Sequence, residues 1–259
     1  LILLVGCTPK KHYSLILRNG TIYDGSGNAP YKGDVAIQAD TLAAIGTFQA
    51  TADSEVDVQG MVIAPGFINM LSWADGSLLE DGRSMSDIKQ GVTLEVFGEG
   101  WNPGPRKVIT EKDTLQSVLE EYFTTLEKKG ASSNFASFVG ATSVRNYVLG
   151  YENRSPEPDE LEKMKQLVDM AMREGAMGLG SSLIYAPADY ASTDELIELS
   201  KVVSKYQGMY ITHMRSESDK ILPALNEVFR IAYKANVPAE IYHLKINNTW
   251  NWNKIDTVL

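Results

Sequence analysis

Two stretches of this chain end alike. Met209-Tyr210-Ile211-Thr212-His213 is a short apolar run that turns polar at a histidine, with Arg215 two places on. Thirty residues later, Ala239-Glu240-Ile241-Tyr242-His243-Leu244-Lys245 repeats the order of apolar run, histidine and cation. Ser218 to Ala235, between them, reads as a helix. A strand–helix–strand unit sets its strands parallel and about 5 Å apart, so histidines closing both strands meet at one rim. Two neighbouring imidazoles suit a divalent metal ion, and that rim is where a β/α barrel builds its sites. The chain has three histidines, and only His12 falls outside this pattern. The remaining ligands must come from elsewhere in the chain.

The elements that would position such a site begin at Pro65. Apolar strand candidates run from Gly66 to Ser72, Val92 to Gly98, Phe135 to Gly140, Ala176 to Ser181, Met209 to His213 and Pro238 to Lys245. Helices separate several of them. One starts at Thr110-Glu111-Lys112-Asp113 and runs to Lys129, where Gly130 ends it. A second, Glu160 to Glu174, carries Leu161, Met164, Leu167, Val168 and Ala171 at helical spacing. Ser192-Thr193-Asp194-Glu195 caps a third that reaches Tyr206. Alternating strands and helices mean parallel βα units. Residues 13–64 instead show short strands with turn signals, including an Asn19-Gly20 hairpin turn and a hairpin around Ala39-Asp40-Thr41. The expected fold is therefore α/β: an incomplete (β/α)8 TIM-type barrel of about six βα units over residues 65–259, preceded by a small β-sandwich domain over 13–64. An eight-fold barrel takes about 250 residues by itself, so the missing units are expected beyond Leu259.

Composition sets the outer bounds. Hydrophobic residues make up 44% and charged residues 22%, ordinary for a globular chain, and the net charge of −9 argues against a nucleic-acid partner. No run of eighteen apolar residues is present to span a membrane as a helix. Residues 1–12 read as a signal remnant and tether. Leu4-Val5-Gly6-Cys7 resembles a bacterial lipobox, which makes Cys7 a candidate lipidation site and implies a membrane-anchored lipoprotein of the bacterial cell envelope facing the periplasm. The rival reading is a short apolar strand with an incidental cysteine. Cys7 is the single cysteine, so the body of the chain offers no thiolate ligand.

A family resemblance follows from motifs that come in the right order. Gly60-Met61-Val62-Ile63-Ala64-Pro65-Gly66-Phe67-Ile68-Asn69 resembles the entry to an amidohydrolase-superfamily barrel. Gly175 to Pro187 and Thr212-His213-Met214-Arg215-Ser216-Glu217 narrow it to the N-acyl-D-amino-acid deacylases, or D-aminoacylases. The resemblance implies a zinc-dependent hydrolase of linear amides that releases a carboxylate and a free D-amino acid, a small-molecule substrate. It implies that His213 and His243 bind zinc, and that Tyr185 and Lys245 contact the substrate carboxylate. The family's catalytic aspartate would lie past Leu259.

Three departures qualify the carry-over. Leu71 and Trp73 stand where the superfamily has His-x-His, which argues for one ion rather than two. The family's zinc-binding cysteine would align with Gly100, next to Glu99. The eighth-strand aspartate is not in the chain. Glu99, His213 and His243 still make a chemically sensible set, since two histidines and a glutamate are a known catalytic zinc set with room for water; the rivals are Glu99 as a loop acid, or Glu95 turning inward instead. Other readings stay open: an inactive barrel used as a binding module, or a D-dipeptidase or cyclic-amide hydrolase. Arg215 and Glu217 flank the metal strand and read either as supports behind the metal ligands or, the blander reading, as a surface ion pair, while Trp73, Trp250 and Trp252 could line a pocket or only pack. Lacking two barrel strands, residues 8–259 alone are expected to be inactive and poorly soluble, with exposed sheet edges.

Overall fold

The computed structural model describes residues 11–104 and 119–259, and the chain divides between Gly66 and Phe67 into two compact units. Cys7 and the helix start at Thr110–Asp113 lie outside the described residues.

The first unit is a mixed sheet of β1 (Lys11–Ile22), β2 (Tyr31–Gln38), β3 (Thr41–Gly46), β4 (Ala50–Asp57) and β5 (Val62–Ile63). Its order is β3-β2-β1-β4, with β5 also pairing β1. Tyr13, Ile16 and Ala36 are buried on one face against Ala44, Phe48, Ala50 and Ala52. Among the described residues these strands form one sheet, with no second layer of this unit to make a sandwich. The hairpin at Gln38↔Thr41 is as expected. Asn19-Gly20 is not a hairpin turn. β1 runs through it, and the pairing with β2 shifts register between Leu17 and Gly20. A bulge needs the same left-handed backbone as a tight turn, and Asn19 supplies it at φ 62°. The Asn19 amide donates to Asp34 and its side chain to Asp57, on the strands to either side of β1, which secures the bulge.

The second unit runs β6 (Phe67–Asn69), α1 (Asp75–Glu80), α2 (Met85–Ile88), β7 (Val92–Phe97), α3 (Leu119–Lys129), β8 (Asn134–Ser137), β9 (Val139–Gly140), α4 (Ala141–Leu149), α5 (Pro158–Arg173), β10 (Gly178–Ser182), α6 (Thr193–Ser204), β11 (Met209–His213), α7 (Ile221–Ala235), β12 (Ala239–Ile241) and α8 (Ile255–Val258). Its strands form two parallel sheets, β6-β7-β8 and β9-β10-β11-β12. The single strand expected from Phe135 to Gly140 serves both: its first half pairs with β7, its second with β10, and Phe138 sits between. β11 has the expected bounds, while β6, β7, β10 and β12 are shorter than their apolar runs. β12 stops at Ile241, before His243.

The helices form where capping and burial agree. Pro158 opens α5 behind a Glu157/Glu160 capping box; Met164, Leu167, Val168 and Ala171 turn inward, and Gly175 at φ 97° follows the end. Ser192 caps α6 by accepting the Glu195 amide at 3.1 Å. α4 has no side-chain cap and does not stand out in the sequence. Strand alternation sorts the core. Tyr210 packs with α4, α5 and α6 residues, while Ile211, one residue on, joins Val96, Phe138 and Tyr242 on the opposite face. That second cluster forms the floor of the site. No described helix is long and apolar enough to cross a membrane.

Candidate metal centre

Glu99 is placed by two glycines. β7 ends at Phe97, and Gly98 (φ 105°) turns the chain where a Cβ would lie 2.5 Å from the Phe138 carbonyl oxygen. Gly100 (φ 80°) is crowded too, its Cβ position falling 2.9 Å from both Cβ and N of Ser182. The Gly100 carbonyl then accepts the amides of Thr142 at 3.0 Å and Ser143 at 3.2 Å, fastening the loop to the start of α4. Glu99 is held between these points and its side chain is 7% exposed.

His213 closes β11 on the same face as Ile211, two residues back. Its carbonyl accepts the Leu183 amide, and behind it Ser181, Tyr210 and Thr212 form a buried hydroxyl network at 2.7–2.8 Å. Burial pushes the Tyr210 phenol up to about 12, so it stays neutral. His243 lies two residues past β12 and takes a left-handed backbone at φ 36°, rare for a residue with a side chain. The Tyr242 amide donates to the Thr212 carbonyl at 2.9 Å, bringing His243 alongside His213. The ring centroids are 4.5 Å apart and nearly perpendicular.

One carboxylate oxygen gathers both rings. Glu99 Oε1 is 3.0 Å from His213 Nδ1 and 3.2 Å from His243 Nε2. Burial raises the Glu99 pKa, but hydrogen bonds from both imidazoles outweigh it and hold the carboxyl below its ordinary value. The ligand atoms of Glu99, His213 and His243 lie within 4.8 Å of one another. Metal–ligand bonds near 2.1 Å in a tetrahedron put ligands about 3.4 Å apart, close to the two separations to Glu99 Oε1. The residues therefore fit a small divalent ion in donor type, spacing and charge.

The other expected residues surround this cluster. Tyr185 is 60% exposed, with its ring edge-on to His213 at 5.5 Å. Lys245 Nζ is 3.0 Å from His243 Nδ1 and donates to Glu217 Oε1 at 2.5 Å. Trp73 donates its indole N–H to Glu99 Oε2 at 3.1 Å, so it touches the centre, whereas Trp250 and Trp252 bond to Asp219 and the Ile246 carbonyl. Leu71 packs on the apolar floor. Arg215 and Glu217 do not form the expected surface pair. Arg215, two residues past the end of β11, pairs with Glu227 at 2.9 Å and donates to the carbonyls of Asp189 and Ala191. Glu217 is buried at the centre. Its place flanking the metal strand, four residues after His213, is the sequence signal that made it a candidate support.

No protein-family model matches the chain. The D-aminoacylase of Alcaligenes xylosoxydans xylosoxydans is 34% identical over 254 residues, covering 93% of this chain and 52% of that protein. The N-acyl-D-aspartate deacylase of the same organism is 30% identical over 244 residues, covering 89% of this chain and 49% of that protein. A solved D-aminoacylase, described for activation of its binuclear centre by one metal and attenuation by a second, superposes with a TM-score of 0.87 at 31% identity, over 95% of this chain and 54% of that one. The chain spans about half the length of the curated relatives it matches. The chain is thus strongly homologous to D-aminoacylase and to the N-acyl-D-aspartate and N-acyl-D-glutamate deacylases, and its structural neighbours are D-aminoacylase amidohydrolases.

Proposed function

We propose that the protein hydrolyses the linear amide of N-acyl-D-amino acids, releasing a carboxylate and the free D-amino acid, at a single zinc ion held by Glu99, His213 and His243. The observation that carries this reading is the convergence of Glu99 Oε1, His213 Nδ1 and His243 Nε2 within a chain homologous to D-aminoacylase. Zinc bound there supplies Lewis acidity toward the amide carbonyl and lowers the pKa of the attacking water. The protein's own groups do the rest. Glu99 and the two imidazoles provide a three-ligand set that leaves a position open. Trp73 holds the second oxygen of Glu99, so it occupies space where the superfamily places further ligands. Lys245 and Tyr185, on the rim beside His243 and His213, are suited to receive a substrate carboxylate through charge-assisted hydrogen bonds. The seven parallel strands β6 to β12 are inferred to be an arc of a β/α barrel, with the N-terminal sheet part of its companion sandwich. Cys7 is proposed as a lipid attachment that would hold the enzyme at the bacterial cell envelope.

The test uses the full-length protein. Metal content by mass spectrometry is expected to be near one zinc per chain in the wild type and to collapse in both His213→Ala and His243→Ala. A panel of N-acetyl-D-amino acids should release free amino acid only with the wild type. Unchanged metal content in both variants refutes the centre. Zinc bound but no release across the panel favours a binding module.

A further inference from the structure

Glu217 has surroundings that a structural ion pair does not require. Its side chain is only 6% exposed. Its Oε1 lies 3.4 Å from His213 Nε2 and 3.3 Å from His243 Nδ1. These are the two ring nitrogens turned away from Glu99, so each imidazole presents one nitrogen to Glu99 and the other to Glu217. Glu217 is itself held on three sides: Lys245 donates to Oε1, the Asn247 side chain donates to Oε2 at 3.3 Å, and the Asn247 amide donates to its carbonyl at 2.7 Å.

We infer that Glu217 is the positioning residue shared by both histidines of the proposed centre, one carboxylate oxygen orienting two metal-binding rings. The inference rests on the metal reading above. The reasoning is about which nitrogen carries the proton. With both rings donating to the Glu99 carboxylate, the His213 lone pair sits on Nε2 and faces a second carboxylate oxygen. That nitrogen is buried and has no hydrogen-bond partner among the described residues. A ring that gives Nδ1 to a metal must carry its proton on Nε2 instead. The proton leaves Nδ1 and one is taken up at Nε2, so the ring stays neutral and the unfavourable contact becomes a donor–acceptor pair with Glu217. The same exchange at His243 frees Nε2 for the ion and puts an N–H on Nδ1, again toward Glu217. Lys245 then keeps Glu217 but loses the His243 nitrogen as an acceptor, which turns one of its hydrogens toward the rim. Outer carboxylates of this kind fix tautomer and ring orientation, and their removal typically costs about 10–100-fold in metal affinity.

The experiment measures zinc affinity of the full-length protein by competition with a chelator, comparing wild type, Glu217→Gln, Glu217→Ala and the control Glu227→Gln, whose partner is Arg215. The expected result is about a 10–100-fold loss in Glu217→Ala, a smaller loss in Glu217→Gln, whose amide oxygen still accepts, and no change in the control. Circular dichroism checks folding, and Glu217→Gln carries the test if the alanine variant does not fold. A second measurement uses ¹⁵N-histidine labelling of the zinc-loaded wild type, where Nε2–H on His213 and Nδ1–H on His243 are expected. Wild-type affinity in both Glu217 variants, or the opposite tautomers, overturns the proposal. Absence of zinc from the wild type defeats the metal reading itself, and is recognised because it needs no variant.

Discussion

Gly100 offers a quantitative test of why a glutamate, rather than the next residue along, completes the ligand set. Replacing it with alanine adds two costs. A side chain at φ 80° pays left-handed strain of about 1 kcal/mol. Its Cβ would also lie 2.9 Å from the Cβ and backbone N of Ser182, about half an ångström inside ordinary van der Waals contact. Neither atom is the loose end of a flexible side chain, so β10 and the Glu99 loop must separate, an overpacking cost of about 1–3 kcal/mol. The total is about 2–4 kcal/mol, or roughly 4–16 °C in melting temperature for a domain of this size. Gly130 is the control: it has φ 86° but nothing within 4 Å of its Cβ position, so Gly130→Ala should pay the strain alone. Thermal unfolding followed by circular dichroism on the full-length variants reads both. The same crowding predicts that Gly100→Cys, which restores the residue type the family resemblance places there, loses stability and does not form a cobalt–thiolate charge-transfer band. Equal melting losses in the two alanine variants, or a thiolate band in Gly100→Cys, would refute the steric account.

Two further predictions concern the scaffold. The Arg145–Glu195 pair meets at 2.6 Å with side chains 1% and 3% exposed, so Arg145→Met alone should cost about 3–5 kcal/mol in urea unfolding, with much of it recovered in Arg145→Met/Glu195→Leu; equal losses in single and double variants would contradict this. At the start of α5, the Arg154 guanidinium and the Glu157 amide hold the Glu160 carboxyl down at about 2, against an ordinary 4.5. A depressed carboxyl stabilises the fold fully above about 4.5, and that contribution is lost as pH falls through about 2. The stability gap between wild type and Glu160→Gln should therefore be full at neutral pH and shrink between those values, as measured by denaturant unfolding at a series of pH values; a gap that widens on acidification has the wrong sign.

What could be read in advance followed from how local each signal is. The meeting of His213 and His243 was legible because each follows an apolar run and parallel neighbours fix the distance between such runs, although β12 stops two residues short of His243 and the Tyr242 amide completes the approach. Glu99 was legible only as one of two acids near the end of the same apolar run; the other, Glu95, is taken up by the hydroxyls of Ser72, Ser84 and Ser133, long-range partners that no local pattern encodes. Asn19-Gly20 misled for the opposite reason, since its backbone preference is real but a bulge and a turn use it equally, and only the partner strand decides. α4 was missed because its N-terminus is secured by the Gly100 carbonyl instead of a capping side chain of its own. Glu217 stood between two readings, a support behind the metal strand and a surface partner of Arg215, and sequence spacing cannot choose between them; the fold does, by pairing Arg215 with Glu227 and bringing Glu217 beside two imidazoles. The pieces that escaped the sequence are thus the supports of the site, whereas the atoms proposed to touch the metal were in view, because ligand chemistry restricts residue type while support can come from any group that reaches.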